Sequence, residues 1–133
     1  MPATVLDSHA LVAFLREEAG SEIVRKILEK AAERDAPVLM TEVNYAEAQY
    51  IIRRKEGDAA WAAIARDLPV MPIEFHPADR RLADMAAEYK SQYKLSLADA
   101  FAAALAKAKK AELVTGDPEF KALEKDIKIT WLR

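Results

Sequence analysis

The chain has 133 residues, 52% of them hydrophobic, with a formal charge of −2 and a pI near 5.8. Such a length fits one globular domain, 1–133, around one sizeable core, and the slightly acidic balance excludes a protein that grips nucleic acid through a broad basic surface. The absence of cysteine excludes disulfides, thiolate nucleophiles and Cys-built zinc sites, and agrees with a reducing, cytoplasmic interior.

In chain order, a first short strand is expected over 3–6, ended by Asp7 in "TVLDSHALVAFL", with a helix near 9–18 behind it. No apolar run approaches the roughly 18 residues of a spanning helix, and Asp7 interrupts the N-terminus before a signal-peptide core could form, so no membrane segment is expected. A helix at 21–34 carries the stripe Ile23, Ile27, Leu28, and a strand follows at 38–40. The helix at 42–55 has the stripe Val43, Ala46, Tyr50, Ile51, with Glu47 inside it. A further helix at 58–67, a strand at 70–75 and two helices at 78–90 and 97–110 come next. Strands at 113–115 and 127–132 bracket "TGDPEF". Strands alternating with helices imply right-handed crossovers and an α/β fold: a mainly parallel sheet of about five strands with helices on both faces.

Four acids stand out on this scaffold. Asp7 and Asp117 end strands, and Asp99 opens the alanine-rich helix three residues after Ser96. Each has a plain structural reading, since Asp7 or Ser8 would cap a helix, Asp117 before Pro118 would do the same, and Ser96 with Asp99 has the spacing of a capping box. Glu47 has no such reading: a carboxylate on a core-facing stripe needs a partner, either Arg53 or Arg54 along the helix or a bound cation. All four acids are expected at one rim of the sheet, where oxygen donors without imidazole suit Mg²⁺ or Mn²⁺ better than Zn²⁺.

The blocks "TVLDSHALVAFL", "TEVNYAEAQY", "LSLADAFAAALA" and "LVTGDPEF", in this order along the whole chain, resemble the four acidic motifs of PIN-domain nucleases, and the compact size is similar to VapC-type toxins of toxin-antitoxin pairs. The resemblance implies the PIN-like three-layer sandwich, with Asp7, Glu47, Asp99 and Asp117 as the acidic catalytic and metal-binding cluster and Thr115, Thr41 and Ser8 supporting it. Glu119 stands close enough to substitute for Asp117. The implied activity is metal-dependent endoribonuclease cleavage using one or two Mg²⁺ or Mn²⁺ ions. A homodimer restrained by a small VapB-like antitoxin, whose basic tail enters the active-site groove, is implied in the same way. The alternative is a non-catalytic PIN-like module that docks a basic peptide on its acidic rim.

Other residues read more plainly. Arg53, Arg54, Lys55, Lys107, Lys109 and Lys110 are candidates to touch RNA, yet all sit where the helix dipole favours cations in any case. His9 and His76 have no metal-ligand spacing and are expected to be exposed or locally bonded. Trp61, Trp131, Phe14 and Phe101 read as packing residues, with Trp61 also suited to a partner surface. Three glycines cannot build a dinucleotide or P-loop turn, and no Gly-x-Ser-x-Gly elbow is present.

Overall fold

The computed structural model describes residues 3–132; residues 1, 2 and 133 of the expected span lie outside the described residues. The elements run β1 (Thr4–Leu6), α1 (Ser8–Leu15), α2 (Ser21–Glu33), β2 (Val38–Thr41), α3 (Glu42–Glu56), α4 (Asp58–Asp67), β3 (Ile73–His76), α5 (Arg80–Gln92), α6 (Leu97–Lys109), β4 (Glu112–Thr115) and β5 (Ile129–Trp131). Short 3-10 turns occupy Leu68–Val70 and Pro118–Leu123. The sheet order is β3-β2-β1-β4-β5 and all four pairings are parallel, so the sheet is wholly rather than mainly parallel.

The pleat sorts the strand side chains into two buried faces. Val5, Leu39 and Leu113 point to one side, against Leu82 and Ala86 of α5 and Phe101 and Leu105 of α6. Leu6, Val38, Met40 and Val114 point to the other, against Ala10 of α1, Val24 and Leu28 of α2, Ile52 of α3 and Trp61 of α4. Helices on both faces leave the central strands no solvent side, which is why they read as continuous apolar runs without alternation. Helix α6 is apolar nearly all round, with Ala100, Ala102, Ala103, Ala104 and Ala106 buried, and its small side chains let it lie close against the sheet. Trp61 is buried in the core, which removes it from any partner surface.

Where boundaries differ from the sequence expectation, local chemistry accounts for it. The strand expected at 70–75 begins only at Ile73, because Pro69 and Pro72 turn the chain and lack the N–H a ladder needs; Pro72 instead offers its carbonyl to the Val38 N–H at 2.9 Å. The helix expected from 78 starts at Arg80, since the Asp79 carboxylate accepts the Leu82 N–H at 2.9 Å and fixes the cap. Helix α1 stops at Leu15, ahead of Glu17 in the left-handed region at φ 52°. β5 is shorter than 127–132, covering Ile129–Trp131. Among the described residues no helix is long and apolar enough to cross a membrane.

One feature of the topology places the site. The chain leaves β1 toward β2 and β3 on one side, then returns to add β4 and β5 on the other. Such a reversal opens a crevice beyond the carboxyl ends of the two strands that flank it, here β1 and β4. Asp7 follows β1 directly, and Thr115 is the last residue of β4 with Asp117 two residues on.

Candidate active site

Asp7 is both a helix cap and a member of an acidic cluster. Its Oδ1 accepts the Ala10 N–H at 2.8 Å, which caps α1, while Oδ2 accepts the Thr115 hydroxyl proton. Thr115 in turn accepts the Asp117 N–H at 3.0 Å, so one buried hydroxyl ties the ends of β1 and β4 together. Asp117 repeats the pattern on a smaller scale: its Oδ1 accepts the Glu119 N–H at 2.9 Å and begins the 3-10 turn.

Asp99 enters from α6. Ser96 caps that helix by accepting the Asp99 N–H at 3.1 Å, half of the capping box expected from sequence. The Asp99 carboxyl shares a hydrogen bond with Asp117 and faces the charges of Asp7 and Glu47 as well. Carboxylate oxygens of Asp99, Asp117 and Glu119, one from each residue, lie within 4.8 Å of one another. Asp117 and Glu119 thus both face Asp99, while among the described residues no such close group includes Asp7 or Glu47.

This arrangement is costly for negative charge. Burial raises the Asp7 carboxyl to about 7, against the opposing pull of its bonds to Thr115 and Ala10, and the charges of Asp117 and Glu47 add to the rise. Burial likewise raises Asp99 to about 8, helped by the hydrogen bond and charge of Asp117 and by Asp7 and Glu47. With exposures of 1% and 6%, neither can spread its charge into water. A group of carboxyls this close holds either protons or a cation.

Glu47 does not lie where the sequence stripe puts it. The buried line of α3 is Asn44, Ala48 and Ile52, and Tyr50 is exposed, so the core-facing arc sits one residue away from the expected one. Glu47 is half-buried at its edge and accepts the Ser8 hydroxyl proton. The proposed arginine partners are engaged elsewhere: Arg53 pairs with Asp58 at 2.9 Å, and Arg54 lies over the Tyr50 ring. Serine, not arginine, is the neighbour of Glu47.

Asn44 is the site residue that sequence reasoning passed over. It is fully buried; its Oδ1 accepts from Thr41 Oγ1 at 2.5 Å, and Nδ2 donates to the Ala98 carbonyl at 3.0 Å and more weakly to Ser8 Oγ at 3.5 Å. Thr41 caps α3 by accepting the Asn44 N–H at 2.9 Å. One amide thus joins the end of β2, the start of α1 and the residue before Asp99. The available signal was its place three residues after a threonine that ends a strand. Asn44→Ala leaves the buried Thr41 hydroxyl without its acceptor and unties α3 from α6, and is expected to cost on the order of 2–3 kcal/mol in a denaturant titration, with a parallel loss of whatever activity depends on Asp99.

The cluster opens onto a cleft of about 390 Å³ lined by Ser8, Glu47, Asp99, Asp117 and Glu119, with Arg16 and Lys55 farther out and His9 beside the strand end. His9, set aside on sequence grounds, therefore belongs to the cleft wall. Of the six rim cations named from sequence, only Lys55 lines it. Lys107 and Lys109 stand eight and ten residues beyond Asp99 on α6, about 12–15 Å along the axis, and Lys110 lies just past its end. Lys107 is also held by Asp126 at 2.5 Å.

Carboxylates gathered at the switch point of a parallel α/β sheet put the candidate site where such folds bind their ligands. The chain belongs to the PIN domain family, whose model matches residues 4–126. Among solved structures it is similar to VapBC2 from Rickettsia felis bound to a DNA fragment from its promoter, at 19% identity over 96% of this chain and 97% of that one with a TM-score of 0.75. It is also similar to DNA-bound VapBC from Salmonella typhimurium, at 14% identity over all of both chains with a TM-score of 0.74. A third likeness is to VapC20 of Mycobacterium tuberculosis, a toxin that cleaves the sarcin-ricin loop, at 17% identity over 90% of this chain and 94% of that one with a TM-score of 0.73. No curated protein sequence matches the chain.

Proposed function

We propose that this chain is a divalent-metal-dependent endoribonuclease, the toxin half of a toxin-antitoxin pair, with Asp7, Glu47, Asp99 and Asp117 as its acidic site and Glu119 beside them. The observation that carries the reading is the packing of carboxyls at the switch point, where two are driven toward the protonated form. The donor set fits a hard cation: oxygens of Asp99, Asp117 and Glu119 lie within 4.8 Å of one another with no imidazole among them, and Mg²⁺ and Mn²⁺ favour such carboxylate oxygens. One or two Mg²⁺ or Mn²⁺ ions held there would neutralise charge growing on a phosphodiester and activate a water to attack it.

The chain's own residues supply the rest. Thr115 holds Asp7 against the end of β4, Ser8 steadies Glu47, and the Thr41–Asn44 pair fixes α3 against the start of α6. These bonds set carboxylate directions in advance, so little reorganisation is left for the reaction. Lys55 offers positive charge at the cleft wall for the strand, whereas Arg16 is held by Glu18 and Glu56.

Partners follow from the same charge. A small antitoxin carrying an arginine or lysine in its tail would fill the acidic cleft, a reading supported by the solved VapBC complexes of this fold. A homodimer in the cytoplasm completes the proposal. Incubation with a mixed RNA pool is expected to give 5′-phosphate ends with Mg²⁺ or Mn²⁺ and no cleavage with EDTA. Cleavage in EDTA that leaves 2′,3′-cyclic ends would refute the mechanism, and intact RNA under all conditions would favour the peptide-docking reading.

A further inference from the structure

Gly116 lies between Thr115 and Asp117, and its backbone has no positive φ that would demand glycine. The reason for glycine is spatial. A Cβ placed there would fall 2.5 Å from His9 Cε1, 3.0 Å from Nδ1 and 3.2 Å from Nε2. The missing side chain is thus the seat of the His9 ring, which rests against the end of β4 at the wall of the acidic cleft. His9 is nonetheless solvent-exposed, and it carries the only aromatic ring among the residues that line the cleft. A ring packed against the end of β4 at the wall of an acidic cleft, and otherwise open to solvent, has the form of a stacking platform for a base.

We propose that His9, held in place by Gly116, stacks on the nucleobase next to the scissile phosphate and so fixes which single-stranded segment of RNA enters the cleft. The inference rests on the nuclease reading and adds to it a contact with the base. The cleft's other side chains are carboxylates, cations, serines and aliphatic groups, and the one other planar group, the Arg16 guanidinium, is engaged by Glu18 and Glu56.

The experiment measures KM and kcat on a short single-stranded RNA, together with its Kd on the Asp99→Asn background, where cleavage is blocked. His9→Ala is expected to raise KM and Kd by roughly 10- to 100-fold with kcat changed by less than about threefold, as the loss of one base stack would do. His9→Phe keeps a stacking face and is expected to restore binding, whereas His9→Gln keeps a polar nitrogen without the face and is not. Gly116→Ala displaces the ring and should match His9→Ala, yet add nothing in the double variant. An oligonucleotide abasic next to the cut should bind wild type and His9→Ala alike. Equal Kd for wild type and His9→Ala on intact RNA, or rescue by Gln and not Phe, would overturn the stacking role while cleavage by the wild type leaves the nuclease reading standing. Failure of the wild type to bind or cleave RNA would overturn both.

Discussion

Asp7→Asn is expected to abolish RNA cleavage, by at least about 10³-fold, while holding or raising the melting temperature of the metal-free protein. The two effects separate because the carboxylate does two things. As a cap, Asn replaces it nearly without loss, since the side-chain carbonyl still accepts the Ala10 N–H. As a charge it is costly to the empty fold: a buried carboxyl raised from 3.8 to about 7 weakens the folded state progressively as pH climbs between those values, and the full penalty remains above them. Removing it relieves a penalty of up to a few kcal/mol, at about 1.4 kcal/mol per unit of pKa. The same charge is what a divalent ion would need, so affinity and activity go with it. Asp117→Asn should lose less, because Glu119 lies in the same group of oxygens. Melting curves in EDTA and initial rates in Mn²⁺ on the three proteins check this; full cleavage by Asp7→Asn would exclude the proposed site.

The second large effect is on pH. Unfolded aspartates ionise near 3.8, whereas Asp7 and Asp99 in the fold hold their protons to about 7 and about 8. Across that window the folded state binds more protons than the unfolded one, so stability falls as pH rises. As far as these two groups decide, the metal-free protein is therefore expected to be most stable at pH 4 and below, and to lose several kcal/mol by pH 8, where the loss levels off. Mn²⁺ should flatten the curve by supplying the charge the protons supplied. Urea titrations from pH 4 to pH 9, with and without Mn²⁺, measure it. A metal-free stability that is flat or rises through pH 5 to 8 would mean that the cluster is not strained by its own charge.

Much of this was legible in the residues. Strand-length apolar runs between amphipathic helices are what a doubly covered parallel sheet requires, and that pattern identifies the architecture without any contact map. The acids at the ends of β1 and β4 were visible for the same reason, since strand ends at a switch point face one crevice. The opposition between cap and reactive group, however, dissolves in three dimensions: Asp7 and Asp117 each spend one oxygen on a cap and keep the other for the cluster or its threonine.

What stayed hidden depends on tertiary placement. Helical periodicity alone leaves the buried arc of α3 free to shift by one residue, which puts Glu47 on the stripe, and polar Asn44 does not look like a core position until its partners on β2, α1 and α6 are known. His9 has no motif at all; its place follows from a glycine 107 residues away. The two prolines around 70 moved a strand because they remove donors, a local fact that the β-branched content outweighed in the sequence reading.

The central claim, that the switch-point carboxyls form a divalent-metal site which carries protons when metal-free, is tested most directly by Mn²⁺ titration calorimetry at pH 7 in buffers of different ionisation enthalpy. The account predicts binding accompanied by release of roughly one to two protons, from Asp7 and Asp99 together, and loss of both signals in Asp99→Asn. Absence of Mn²⁺ binding, or binding that is unchanged in Asp99→Asn, would contradict it.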